Sequence, residues 1–241
     1  MGFYRWQDYV YPGTDTLRNE LGVTDSRELG DDERTLSNMR TVLGSEAIPR
    51  TFDFDHLKTI HLNLFQDLYE WAGQPRTVEI YKGNGFCRAE HIESFANNIF
   101  GRLAQDNHLR GLGQEEFIQK AADYLGDINA LHPFRDGNGR AQREFMNQLA
   151  EQAGYWMDWS RVDPERNVAA SRESFDGRPE LMRQLMTEIV APLPDKEQSR
   201  TTEPEQLADE HDTGFDPLSL YDVADGSRDR SVGDDDRDHT R

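Results

Sequence analysis

One cysteine, Cys87, stands in the whole chain, and lysine occurs at only four positions against 23 arginines. A single thiol excludes an internal disulfide framework and fits a reducing compartment, so a cytoplasmic location is the expectation. No apolar run approaches the roughly 20 residues that cross a bilayer. The N-terminus lacks a basic segment followed by an apolar core, so no secretory leader is expected. Basic charge is scarce as well, with 27 Lys and Arg against 46 Asp and Glu, a net charge of −19. That balance argues against nonspecific binding to nucleic acid or to an anionic membrane, and leaves a basic protein partner open. Also absent are a Walker A run, a Gly-x-Gly-x-x-Gly after a strand, and His-Glu-x-x-His.

The 241 residues suffice for one medium domain with a sizeable core, or for two small ones. Charge and hydropathy divide them. Residues 195–241 hold 15 acidic and 6 basic residues, with a weak apolar cluster at Phe215, Leu218, Leu220, Tyr221 and Val223. The segment 194–241 therefore reads as an acidic disordered tail, either a solvated extension or a docking or export segment using that cluster. Residues 1–193 read as one domain.

That domain is mostly helical by periodicity. Leu57, Ile60, Leu64, Phe65 and Leu68 keep helical spacing between a cap at Asp53 and a stop expected at Gly73. Ile92, Phe95, Ala96, Ile99 and Leu103 form a second stripe, and Phe117, Ile118, Ala121, Tyr124, Leu125 and Ile128 a third. Phe145, Met146, Leu149, Ala150 and Ala153 form another, stopped by Gly154. Asp163-Pro164 reads as an N-cap with proline at the first helical position. Leu181, Met182, Leu185, Met186 and Ile189 make a last helix, with the methionines as core filling. One segment departs from helix. Arg76 to Tyr81 alternates like a strand, Gly83-Asn84-Gly85 is a hairpin turn signal, and Phe86-Cys87-Arg88 can return. The ribbon is either plain surface or a flap.

The chemistry concentrates between His132 and Arg143, in the run His-Pro-Phe-Arg-Asp-Gly-Asn-Gly-Arg-Ala-Gln-Arg. Pro133 discourages helix at His132, so the upstream helix should stop there. Asp136-Gly137-Asn138-Gly139 is then a loop running into a helix N-terminus, where free backbone N–H groups and the positive dipole end attract anions. Glycines let the backbone curl into a nest and let phosphate oxygens come close. Arg140 and Arg143, three residues apart, are expected on the same side, with their forks toward phosphate. Asp136 is a hard oxygen ligand suited to Mg²⁺, which takes one or two carboxylates plus phosphates and water. His132 can accept a proton from a hydroxyl near pH 7. Singly, the histidine reads as a helix cap and Gly-Asn-Gly as a turn; together, in a helix-loop-helix context, they read as a nucleotide-phosphate site.

This run resembles the signature of the Fic family, His-Pro-Phe-x-Asp/Glu-Gly-Asn-Gly-Arg-x-x-Arg, and meets every fixed position. The resemblance extends over residues 4–190, through the element Tyr11 to Gly22 and the segment His61 to Gly73 with Arg76 and Lys82-Gly83. It implies an all-α fold, a Fic helical core with a small β-hairpin flap. It also implies a protein adenylyltransferase that moves AMP from ATP to a Tyr, Ser or Thr hydroxyl and releases pyrophosphate. His132 would be the base and Asp136 the Mg²⁺ ligand. Gly137, Asn138 and Gly139 would form the nest, and Arg140 and Arg143 would hold the β- and γ-phosphates. Phe134 would pack inward. Tyr81, Lys82 and Gly83 would pair with the target backbone, and Asn167 and Ser171 would belong to the base pocket. The inhibitory Ser/Thr-x-x-x-Glu-Gly/Asn motif of many members has no convincing copy: Thr16 to Glu20 comes nearest but is followed by Leu21. The resemblance thus implies the subclass restrained by a small helical antitoxin that supplies a glutamate to Arg143. That subclass includes bacterial toxins acting on type II topoisomerases. Two other readings stand beside it: a different diphosphate donor, UTP or a choline-bearing nucleotide, and a nucleotide-binding module without catalysis.

Overall fold

A computed structural model describes residues 5–44, 48–82 and 84–194, with only the backbone of Tyr81, Lys82, Asn84 and Gly85. The tail beyond Pro194, its Phe215–Val223 cluster and Gly83 lie outside the described residues.

The chain runs α1 (Trp6–Tyr9), α2 (Ser26–Gly44), α3 (Phe54–Phe65), β1 (Tyr81–Lys82), β2 (Asn84–Gly85), α4 (Ile92–Gln105), α5 (Gln114–Leu131) and α6 (Asn138–Ala153). It ends with β3 (Tyr155–Met157), α7 (Pro164–Phe175), α8 (Glu180–Ile189) and β4 (Val190–Pro192). The domain is mainly helical, as expected. The central pair is α5 and α6: α3 packs on α6, while α4, α7 and α8 pack on α5. Ile60, Phe65, Ile99, Phe117, Ile128, Phe145 and Leu149 are completely buried in a shared core. Each contributes about 1.5–3 kcal/mol by leaving water. Among the described residues, no helix is long and apolar enough to cross a membrane.

Local signals account for most helix ends. The Asp53 carboxylate accepts from the His56 N–H at 2.8 Å, capping α3. Asp163 does the same for α7 through Arg166 N–H at 2.8 Å, with Pro164 at the first helical position. Gly154 ends α6 in the left-handed region, φ 90°.

Four features correct the sequence reading. First, α3 stops at Phe65, well short of Gly73. The chain folds back over α3 instead, and a Cβ on Gly73 would come within 2.9 Å of Leu62 Cβ, so this glycine serves a close approach. Second, the hairpin is shorter than the alternation suggested. Tyr81 pairs with Gly85 and Lys82 with Asn84, so Asn84-Gly85 forms the return strand and Phe86 lies beyond it. Third, a second ribbon pairs β3 antiparallel to β4. Fourth, the long α2 carried no apolar stripe. Its buried residues are Leu29, Glu33 and Ser37, and two of those three are polar.

The polar face of α2 has a purpose in packing. The Glu33 carboxylate accepts from the Arg140 guanidinium on α6 and from the Tyr69 hydroxyl. Arg140 also donates to Ser37 Oγ at 3.1 Å, and its guanidinium lies 4.6 Å from the centre of the Phe65 ring. Arg140 and Glu33 are both buried. A buried ion pair whose lone pairs and protons are satisfied is tolerated, whereas removing one partner strands a charge. Glu33→Ala should therefore lower unfolding free energy by about 3–5 kcal/mol, measured by denaturant titration. A loss comparable to an exposed-site alanine substitution would show that this pair does not anchor α2.

Candidate active site

α5 ends as the sequence predicts. His132 is its C-cap, with φ 42° and ψ 62°, and its N–H still bonds the Ile128 carbonyl at 3.1 Å. A non-glycine residue in this left-handed region carries strain that its surroundings must hold. Two contacts do so. The Phe86 ring stacks on the imidazole with centroids 3.8 Å apart and planes 12° from parallel. On the backbone, Arg76 Nε donates to the His132 carbonyl at 2.9 Å.

The loop to α6 is braced from within. Phe134 packs inward and is completely buried. Asn138 accepts from the Phe134 N–H and donates to the Phe134 carbonyl, both at 2.9 Å. This clasp is a role for the Asn138 side chain that the motif alone did not disclose. Gly137 precedes α6 with φ 73°, and a Cβ there would sit 2.4 Å from the Phe65 ring. Only glycine meets both the dihedral and the close approach. The N–H of Gly137 donates to Asp136 Oδ1 at 2.6 Å, which orients that carboxylate at the helix entrance.

His61 fixes the same turn from α3. It is completely buried and stacks on Phe134 at 3.8 Å. Its Nδ1 accepts from the Gly73 N–H at 2.9 Å, so the proton resides on Nε2, which donates to the Asp136 carbonyl at 2.9 Å. Burial, and to a lesser degree the nearby Arg140 charge, hold its pKa down to about 3.

These supports open one cleft of about 660 Å³, its solvent-filled mouth included. His132, Asp136, Asn138, Gly139 and Arg143 line it, and Asn167 and Ser171 line it from α7. Arg143 lies over Gly139, whose Cβ would meet its guanidinium nitrogens at 3.4 Å. The first backbone N–H groups of α6, orphaned by helix geometry, complete an anion-binding end. A single carboxylate at such an end fits a cation that phosphates would help to hold. Among the described residues no group of three or more His, Cys, Asp or Glu could hold a metal alone.

Arg140 corrects the expectation that both motif arginines face the cleft. It does not line the cleft, being committed to Glu33 and Ser37. Residues three apart on a helix diverge by about 60°, enough here to send the two side chains to opposite flanks. Arg135 lines the cleft instead, buried beneath Trp6 with its guanidinium 3.8 Å from the ring centre. It stands at the variable position of the motif, which carried no signal. Trp159 also lines the cleft and went unread. Met186 is core filling as expected, but Met182 serves both core and cleft. The backbone of Tyr81 and Lys82 forms the short hairpin, and neighbouring Ile80 reaches the cleft.

Residues 51–150 match the Fic/DOC family. Over 170 residues the chain is 44% identical to y4lH of Sinorhizobium fredii, a probable protein adenylyltransferase, covering 69% of this chain and 87% of that relative. The chain belongs to the Fic/DOC family. It is also 47% identical over 180 residues to the protein adenylyltransferase VbhT of Bartonella schoenbuchensis, covering 74% of this chain. There it spans only 38% of the relative's length. The fold aligns with BepC of Bartonella tribocorum, solved with bound AMPPNP, at a TM-score of 0.73 and 30% identity, covering 78% and 98% of the two chains. It aligns equally with a Fic domain from Bartonella quintana bearing ADP, at 0.73 and 32%, covering 77% and 95%.

The neutral His61 gives this Fic/DOC domain a pH signature. The unfolded chain protonates that imidazole near its ordinary value of 6.5, while the fold keeps it neutral down to about 3. Between those values the unfolded state binds more protons, so stability is full above the upper value and falls as pH drops toward the lower. Burial lowers the His56 pKa too, which acts in the same direction. At about pH 5, His61 alone should cost about 2 kcal/mol. Thermal melting should show this decline, and His61→Gln should flatten it. Equal slopes in both proteins would mean that His61 does not take up a proton on unfolding.

Proposed function

We propose that this Fic/DOC domain is a protein adenylyltransferase that transfers AMP from ATP to a hydroxyl side chain of another protein. The observation that carries the reading is the meeting of His132, Asp136, the α6 N-terminus and Arg143 in one cleft. The nucleotides bound in BepC and in the Bartonella quintana domain support the donor class. His132 accepts the target's hydroxyl proton as that oxygen bonds to the α-phosphorus. The bond from the α-phosphorus to the bridging oxygen breaks, and pyrophosphate leaves. Gly137, Asn138 and Gly139 present backbone N–H groups to the phosphates, and Arg143 adds a guanidinium. Asn167 and Ser171 hold the base end. The hairpin at Tyr81, Lys82 and Gly83 pairs with the target's backbone as an added strand. Asp136 would hold Mg²⁺, which when bound neutralises charge on the phosphates. A donor such as ATP and the lone thiol of Cys87 suit a cytoplasmic setting.

The same reading extends to control. Glu33, the acidic residue that reaches the motif from α2, is engaged by Arg140 rather than Arg143. A small helical antitoxin that brings a glutamate to Arg143 would compete there with phosphate, as a carboxylate suits that guanidinium. The chain is then a bacterial toxin, with a topoisomerase subunit among the targets to assay first.

His132→Ala should abolish labelling of lysate proteins by ATP, a loss of about 10²–10⁴-fold, while calorimetry still detects ATP binding. Undiminished labelling would remove His132 from the chemistry. Chelation of divalent cations should stop transfer, and Asp136→Ala should resist rescue by added Mg²⁺. Full activity in excess chelator would discard the metal role.

A further inference from the structure

Arg76 makes a set of contacts that nucleotide binding does not require. Its side chain is fully buried, and an oxygen of the partly exposed Glu79 carboxylate lies 3.9 Å from its Nη1. Burying a guanidinium is costly unless its donors find partners. Here the partners are backbone carbonyls from three places in the chain. Nε donates to His132 O at 2.9 Å, Nη1 to Val78 O at 2.8 Å, and Nη2 to Cys87 O. The Arg76 N–H adds a bond to Pro133 O at 2.7 Å, and the Cys87 N–H bonds Ala130 O at 2.9 Å. Val78 and Cys87 flank the hairpin on its two sides. Phe86, next to Cys87, is the residue stacked on the His132 ring.

We infer that Arg76 is a positioning residue that locks the mouth of the hairpin to His132. One planar fork then sets both the place where a target strand would dock and the direction of the imidazole. This rests on the reading of His132 as the base and of the hairpin as the target's dock. The phosphate end is braced separately, by His61 on the Asp136 carbonyl and by Asn138 on Phe134. Loss of the fork should therefore damage transfer and spare nucleotide binding. Lysine cannot replace it. An ammonium is a point donor on a flexible stem and cannot reproduce the fork that a guanidinium presents to three separate carbonyls.

The test compares the full chain with Arg76→Lys, Phe86→Leu and the double variant. Calorimetry with ATP reads the phosphate end. Initial rates of AMP labelling across a range of lysate concentrations separate apparent kcat from apparent KM. Amide hydrogen exchange over residues 77–88 reads the hairpin. In Arg76→Lys, ATP affinity should be retained and labelling should fall by about 10²-fold, the scale of an ångström-sized misplacement. Apparent kcat should drop and apparent KM for lysate protein should rise together. Hairpin amides should exchange about tenfold faster, the effect of losing on the order of one hydrogen bond. Phe86→Leu should lower labelling in the same way, and the double variant should be little worse than Arg76→Lys alone. Wild-type labelling by Arg76→Lys would overturn the proposal, as would a loss matched by an equal loss of ATP affinity. If Arg76→Lys does not fold, Phe86→Leu decides: retained ATP binding with reduced labelling supports the lock, and normal labelling overturns it. Wild-type labelling by His132→Ala would instead sink the base assignment, whatever Arg76 does.

Discussion

The chain between Leu131 and Asn138 turns inside the protein, between the ends of two buried helices. Its carbonyls cannot all reach water, and each one left unpaired would cost on the order of 1–3 kcal/mol. The neighbours supply the donors one by one. Arg76 takes the carbonyl of His132 with its side chain and that of Pro133 with its backbone. Asn138 takes the carbonyl of Phe134, and His61 takes that of Asp136. A loop satisfied by such specific partners has little freedom to relax. It can hold His132 in the left-handed region and Gly137 against Phe65, and so keep an imidazole, a carboxylate and a helix N-terminus facing one cleft.

The arginines around this loop look alike in sequence and diverge in use. A positive side chain near a helix N-terminus opposes the macrodipole. Arg140 meets that cost by pairing with Glu33, which ties α2 to α6. Arg143 lies over Gly139 on the cleft side. Arg135 rests under Trp6, and Arg76 serves backbone carbonyls. Charge at the site is therefore divided between cations that build the walls and cations that line them. The division follows from helix phase and from the reach of Glu33, not from the residue type.

Much of this was legible beforehand, and the reasons are physical. The motif loop is local: proline, glycines and caps act within a few residues, so the ends of α5 and α6 and the exposure of His132, Asp136 and Arg143 to one cleft could be read. The stripes of α4, α5 and α6 were apolar, and helical period showed them. α2 hid because its buried face is Leu29, Glu33 and Ser37, and the two polar residues are matched by Arg140, more than a hundred residues away on α6, and by Tyr69. Arg140 was misread for the same reason, since its direction depends on Glu33. Gly73 mimicked a helix stop while serving a close approach to Leu62. The pairing of β3 with β4 joins segments too far apart for a turn signal to announce it.

Net charge and local charge pull in opposite directions here. The chain carries −19 overall, which disfavours the approach of a polyanion. Screening confines that repulsion to about 8 Å at physiological ionic strength, so the last few ångströms decide binding. Within that distance a phosphate in the cleft meets Arg143, Arg135 and the positive end of α6. The acidic exterior has no such local remedy toward another protein. It favours partners with basic surfaces. The hairpin is a two-residue ribbon, too short to be stable alone. The hairpin gains that stability from its flanks, and the flanks gain it from Arg76. Backbone carbonyls paired in this way leave the flanks of the ribbon fewer unsatisfied groups, which is how so short a pairing can persist on the surface of the domain.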